Sequence, residues 1–227
     1  MPRTTLPLNK RGSLRDDVYV ALLERLMGGV YEPGESLSID GLSRELGVSQ
    51  TPLREALVTL ESTGLVEREA RKGYRVAAPL TSDQLRAQVE LRFLLEVEAV
   101  KHAFKDREVV LPELEKALDS HRHWAKKIEG VPREDLDVAN LYDYFVADWS
   151  FHDVILEHCG NPYLANAVRN LSFGVHRMQQ TIRESGTDAP VACAEHEAIY
   201  IQFRDGTVEG AVAAMETHLR NLLERLK

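Results

Sequence analysis

The sequence predicts a mainly α protein in two parts: three helices and a β-hairpin within residues 13–78, then an all-α antiparallel helical bundle over residues 79–227. Three observations predict it. Apolar residues recur at helical spacing along most of the chain. One segment, Leu65 to Val76, breaks that rhythm with an apolar start, a charged tip at Gly73 and a return through Tyr74 and Val76, which reads as a hairpin. Pro79 then punctuates the chain, and everything after it is helical in period.

The elements follow in order. Residues 1–12 lack periodicity and are read as a mobile tail. Ser13 or a neighbour starts the first helix, whose apolar positions are Leu14, Val18, Leu22, Leu23 and Leu26, and Gly28-Gly29 stops it. Pro33-Gly34 marks a turn. Ser38 caps a short helix that runs to Leu46, and Gly47 ends it in the left-handed conformation. Ser49 caps a third helix through about Ser62, with Gly64 beyond. After Pro79, Thr81 and Gln84 form a capping-box pattern. Helices are expected near 82–105, 109–129, 135–158, 161–184, 190–204 and 207–226. Six helices in that length suit one antiparallel bundle.

Composition excludes several classes. The chain has 227 residues, 44% hydrophobic and 28% charged, which is ordinary for a soluble globular protein. No apolar run approaches the roughly 18 residues of a membrane helix. Met1 to Lys10 has no apolar core of a signal peptide. Cys159 and Cys193 stand alone, without paired spacing, so the expected setting is reducing and cytoplasmic, with both as small core residues. The net charge of −8 looks wrong for a nucleic-acid binder until the chain is divided. Residues 1–78 hold 11 basic and 11 acidic side chains, leaving 17 and 25 for the remainder. All the excess acid therefore lies outside the first third, and local charge decides what approaches DNA.

The strongest local signal runs from Leu42 to Leu57. A short helix ends at Gly47, Val48 is expected to plug the space between two helices, and Ser49 opens the next with Thr51 and Pro52 in its first turn. Leu53, Ala56, Leu57 and Leu60 form its inner face, leaving Gln50, Thr51, Arg54 and Glu55 outside. This is the layout of a winged helix-turn-helix, whose recognition helix presents its N-terminal residues to base edges in the major groove. The tip Arg71-Lys72-Gly73 suits a wing, with two cations for phosphates and a glycine where backbone approaches DNA. Simpler readings are an ion pair of Arg54 with Glu24 or Glu61, and a solvated hairpin tip. The stretch Ser49-Gln-Thr-Pro-Leu-Arg-Glu-Ala-Leu57, with Leu60-Glu61, Gly64-Leu-Val66 and Lys72-Gly-Tyr-Arg-Val76, resembles the GntR family of regulators. The resemblance implies DNA binding by residues 13–78 through Ser49, Gln50, Thr51, Arg54, Arg71, Lys72 and Gly73. It implies that Arg54 reads a base or its phosphate. The family usually has arginine where this chain has Gln50, and glutamine favours adenine over guanine. The expected operator is a short inverted repeat with a GT…AC core, bound by a homodimer.

In the helical part, Asp148 and His152 are spaced i, i+4 and share one face of a helix, while His196 and His218 lie on later helices. Carboxylate oxygen and imidazole nitrogen suit zinc, nickel or manganese, though one such pair also arises by chance. His102, His121, His123 and His158 join no pattern and are read as surface or satisfied core residues; His176 can face the interior. Glu90-Leu-Arg92, Leu95-Glu96, Asp148 with Phe151-His152, Glu195-His196 with Ile199, and Met215 with His218-Leu219 resemble the FCD-type domain of the FadR subfamily. That resemblance implies one divalent metal, zinc first and nickel or manganese as alternatives, held by Asp148, His152, His196 and His218. It implies a small organic carboxylate effector beside Arg92, whose simpler reading is an ion pair with Glu96 or Glu90. The expected function is a ligand-responsive regulator, read as a repressor. The alternative is a constitutive dimeric DNA binder with a structural or vestigial metal site. A metal-dependent hydrolase is more remote: His196-Glu197 begins like HExxH, but Tyr200 stands where the second histidine must be.

Overall fold

The structure, a computed structural model, describes residues 13–70, 73–132, 135–184 and 187–226. The tail 1–12 and the wing-tip residues Arg71 and Lys72 lie outside the described residues. The chain divides into two compact units, Met1–Pro79 and Leu80–Lys227.

In the first unit, α1 spans Leu14–Met27, β1 Ser36–Leu37, α2 Ile39–Leu46, α3 Gln50–Ser62, β2 Val66–Glu69 and β3 Gly73–Val76. Ser13 starts α1 in a capping box with Asp16, and Val18, Leu22, Leu23 and Leu26 are buried as the spacing requires. Leu14, in the first turn, is exposed instead. The Ser38 hydroxyl accepts from the Gly41 N–H at 3.0 Å and opens α2. Gly47 closes it at φ 69°, a conformation that glycine adopts without a Cβ penalty. Two expectations change here. Ser49 occupies the extended N-cap position of α3, but its hydroxyl makes no capping bond. Val48 is half-buried rather than a plug, and its carbonyl accepts from the Ser43 hydroxyl at 2.6 Å. The space between the helices is filled by Leu42, Leu46, Leu53 and Leu57.

The sheet has order β1-β3-β2, antiparallel throughout. The strand β1 was not expected from the sequence; two residues carry no readable alternation. It explains Gly73 without reference to DNA. At φ 103°, a Cβ there would stand 2.8 Å from the Leu37 carbonyl oxygen of β1, closer than packed atoms allow.

In the second unit, α4 spans Ser82–Ala103 and passes through a 3-10 turn, Phe104–Asp106, into α5, Arg107–Ile128. Then come α6 Val138–Glu157, α7 Pro162–Arg169, α8 Phe173–Glu184, α9 Ala189–Asp205 and α10 Val208–Arg225. The expected single helix 161–184 is two. Ser172 adopts φ 49° between them, and the Leu171 carbonyl accepts from Gln88 Nε2 of α4 at 3.0 Å. A contact from a distant helix supports the break, and the nearby Gly174 falls inside α8 rather than at it. Within the bundle α5 packs on α6 and α9, α10 on α4 and α9, and α6 also on α4 and α8. Phe151, Ile155, Ile199, Phe203, Met215 and Leu219 form the centre of the core. Among the described residues, no helix is long and apolar enough to cross a membrane.

Candidate functional site

The first unit offers a polar helix face. In α3 the side chains of Leu53, Ala56, Leu57 and Leu60 are fully buried. That fixes the helix orientation and leaves Ser49, Gln50, Thr51, Arg54 and Glu55 exposed. Arg54 Nη2 donates to Gln50 Oε1 at 3.2 Å, and Gln50 Nε2 donates to Asp40 Oδ1 at 2.6 Å. Arg54 thus leans on its neighbour one turn earlier, not on Glu24 or Glu61. These bonds are exposed, so a DNA base can replace them at a net cost of about 1 kcal/mol each. Of the wing residues only Gly73 is described, and its strand position is set by β1 as above.

The second unit encloses a cluster of imidazoles. His152 of α6, His196 of α9 and His218 of α10 bring a ring nitrogen each within 4.8 Å of one another, and a ring nitrogen of His121, a carboxylate oxygen of Asp148 and a ring nitrogen of His196 do the same. The ring centroids of His152 and His196, and of His196 and His218, are 4.8 Å apart. All four histidines are buried, and Asp148 is partly so. His196 lies flat against Phe151 at 4.4 Å, which sets its plane. His196 Nε2 is 3.1 Å from His152 Nε2 and 3.9 Å from Asp148 Oδ1.

The far sides of two of these rings are held by carboxylates. Glu96 Oε2 is 2.7 Å from His152 Nδ1, and Glu195 Oε2 is 2.8 Å from His218 Nδ1. Each carboxylate accepts the Nδ1 proton and turns the Nε2 lone pair to the centre. Burial would raise the Glu195 carboxyl, but hydrogen bonds from His218, Arg225 and Asn221 outweigh it and hold it at about 2. Glu96 is also held below the usual carboxylate range: Arg92 and His152 overcome the burial that opposes them. Burial pushes His196 well below the ordinary histidine value, and the neighbouring imidazoles add to that. His218 is lowered by burial with Glu195 opposing, and His121 by burial with Asp148 opposing.

The donor set fits a metal ion. His218 Nε2 is buried with no hydrogen-bond partner among the described residues. Leaving such an atom unpaired costs about 1–3 kcal/mol. Nitrogens bound about 2.0–2.1 Å from one zinc ion lie roughly 3 Å apart, the spacing between the Nε2 atoms of His152 and His196. Imidazole nitrogens with one carboxylate oxygen suit zinc, nickel or manganese alike.

A cavity of about 20 Å³ adjoins the cluster, lined among others by Arg92, Tyr144, Asp148, Phe173, Arg177 and His218. That volume holds one or two waters. Arg92 is buried, paired with Glu96, and stacked over Phe173 at 4.6 Å. The ion pair expected as its simpler role is therefore present, and the same guanidinium lines the cavity. His121 is the residue that sequence reasoning missed. Sequence pattern places it with His102, His123 and His158, yet its Nδ1 sits 3.0 Å from His196 Nδ1. Its only signal was its place on the inner face of α5 with Leu114, Leu118 and Ala125.

Residues 14–76 match the family described as bacterial regulatory proteins, gntR family, and residues 88–221 match the FCD domain. An uncharacterized HTH-type transcriptional regulator YdhC of Bacillus subtilis is 25% identical over 92% of this chain and 89% of its own. The gluconate operon transcriptional repressor of the same organism is 28% identical over 78% of this chain and 70% of its own. Among solved structures, E. coli McbR/YncC superposes with a TM-score of 0.67 at 21% identity, covering 95% of this chain and 97% of that one. An apolar-backed helix with a polar outer face, a short antiparallel sheet and a helical domain thus meet two matched segments that together span most of the sequence. The chain belongs to the GntR family, in its FCD-domain branch, and is a DNA-binding transcription regulator rather than an enzyme.

Proposed function

We propose that the protein is a dimeric repressor whose grip on a short inverted repeat responds to a small organic carboxylate bound at a divalent metal in the helical unit. The observation that carries this reading is the convergence of ring nitrogens from three buried histidines, with carboxylates on Nδ1 of His152 and His218. The ligands are His152, His196, His218 and Asp148. Zinc is the first candidate, with nickel and manganese next. When bound, the ion supplies a Lewis-acid position for a carboxylate oxygen.

The chain's own groups do the rest. Glu96 and Glu195 orient two imidazoles. Arg92, on the cavity wall, offers guanidinium donors to the effector's second oxygen. A cavity of about 20 Å³ is too small for a carboxylate of several carbons, so its entry displaces the wall formed by Phe173 and Arg177 of α8. On DNA, Arg54 and Gln50 read base edges, Ser49 and Thr51 approach the backbone, and the wing residues Arg71, Lys72 and Gly73 meet phosphates. The repressor reading is supported by the name of the Bacillus subtilis relative that governs a gluconate operon, gluconate being a small hydroxycarboxylate.

Fluorescence anisotropy tests this. The zinc-loaded protein is titrated onto duplexes carrying inverted GT…AC repeats, with and without a panel of small carboxylates. An effector should weaken operator binding about 5–150-fold, the range of ordinary allosteric coupling. Linkage requires DNA to weaken effector binding by the same factor. Operator affinity that ignores metal and every carboxylate would identify a constitutive binder with a structural or vestigial site.

A further inference from the structure

The three inward histidines are not supported alike. His152 has Glu96 behind it, and His218 has Glu195. Behind His196 stands no carboxylate but another imidazole, His121 of α5, with the two Nδ1 atoms 3.0 Å apart. His121 is fully buried and stands beside Tyr144 and His196, at centroid distances of 5.1 and 4.8 Å.

The protons of this pair can be assigned from their partners. His121 Nε2 faces Asp148 Oδ1 at 3.4 Å, inside ion-pair range though not aligned as a hydrogen bond. A carboxylate oxygen only accepts, so a lone pair aimed at it would be repelled and the proton of His121 belongs on Nε2. Its Nδ1 is then a lone pair, and it can only accept from His196 Nδ1–H. That fixes the proton of His196 on the far side of its ring and leaves His196 Nε2 bare. His152 Nε2 carries no proton either, because Glu96 takes its Nδ1 proton, and Arg92 Nη2 stands 3.3 Å from that Nε2. Two unprotonated nitrogens 3.1 Å apart repel; Arg92 relieves His152 Nε2 in part, and a metal ion between the two would satisfy both.

Resting on the metal-centred reading above, we propose that His121 is a positioning residue for the metal site: it accepts the Nδ1 proton of His196, links that ring to Asp148, and so presents His196 Nε2 to the ion without itself being a ligand. A neutral acceptor serves here where the other two histidines have carboxylates. It adds no negative charge to a buried site that already holds Glu96 and Asp148 and lies next to Glu195.

The test uses the full chain with zinc or cobalt(II). His121→Phe keeps a ring but removes the acceptor. His121→Asn puts an amide oxygen where Nδ1 stands and restores it. Zinc affinity by competition with a chromophoric chelator should fall about 10–100-fold in His121→Phe, the usual cost of losing an outer-shell partner. It should stay within about threefold of the parent in His121→Asn. X-ray absorption of the cobalt(II) forms should count three imidazoles in all three proteins, and circular dichroism of the metal-free forms should coincide. Unchanged affinity in His121→Phe overturns the proposal. So does an equal loss in both variants, which would mark a packing role. A fourth imidazole in the parent that disappears in His121→Phe would make His121 a ligand and also overturns it. A parent protein that binds neither metal sinks the metal-centred reading itself, a result distinct from the other three.

Discussion

Residues 1–79 contain no histidine and place Gln50, Thr51 and Arg54 in solvent, whereas the helical unit holds all eight histidines and buries His121, His152, His196 and His218. Both units use the same device, helices with one apolar face, and put their polar chemistry on opposite sides of it. An exposed guanidinium already has water and a neighbouring amide as partners, so exchanging them for DNA costs little. A buried imidazole has no such reserve. Each of its nitrogens must be satisfied from within the fold, and a cluster of four needs carboxylates, a shared proton or a cation. In the proposed function, recognition on the outside depends on a few side chains acting almost independently, while the buried site depends on a network in which each proton position constrains the next.

The comparison can be broken first, and with the largest effect, at His196. His196→Ala removes a proposed central ligand, so zinc affinity should drop by more than the roughly 10–100-fold that an outer partner is worth. Operator affinity of the metal-free protein should not change. Titration calorimetry with zinc and anisotropy with DNA read the two sides separately.

Acid sharpens the contrast next. His121, His196 and His218 have folded values below the ordinary 6.5, so the unfolded chain takes up their protons first as pH falls. The stability they permit is complete above pH 6.5 and declines below it, by up to about 1.4 kcal/mol per pH unit for each group. In metal-free protein, calorimetry at pH 7.5 and 5.5 should show the helical unit losing stability while the histidine-free unit holds. A parallel decline of both units would contradict the burial argument.

A smaller effect is expected at Arg54. Arg54→Ala should cost about 1–3 kcal/mol of specific binding, the worth of one bidentate base contact, with an unchanged melting temperature. If operator affinity survives, α3 is not the reading helix. The smallest change is expected at Lys72, where alanine should reduce the slope of log affinity against log salt by about 1 and weaken all sequences alike.

How far each region was legible follows from the same contrast. The first unit is written locally. Ser38, Gly47 and the apolar positions of α3 sit where the helix boundaries and inner face fall, because capping and amphipathic spacing act within a few residues. What escaped was non-local: β1, two residues that form only by pairing with β3, and with it the steric reason for Gly73. In the bundle, helix positions were legible from period and breakers, but the break at Ser172 was not, since Gln88 of α4 helps set it. Of the metal-ligating candidates only Asp148 and His152 share a helix; His196 and His218 came in through family resemblance. His121 had neither route. Its partner is 75 residues away, and nothing near it in the sequence distinguishes it from a core histidine.

The buried cluster is proposed as a metal site inside a DNA-binding regulator. Elemental analysis of the purified, dialysed full chain, with His196→Ala treated identically, tests it most directly. The account predicts about one zinc, nickel or manganese per chain in the parent and almost none in the variant. No metal in the parent after reconstitution with all three ions, or equal metal in both proteins, would contradict it.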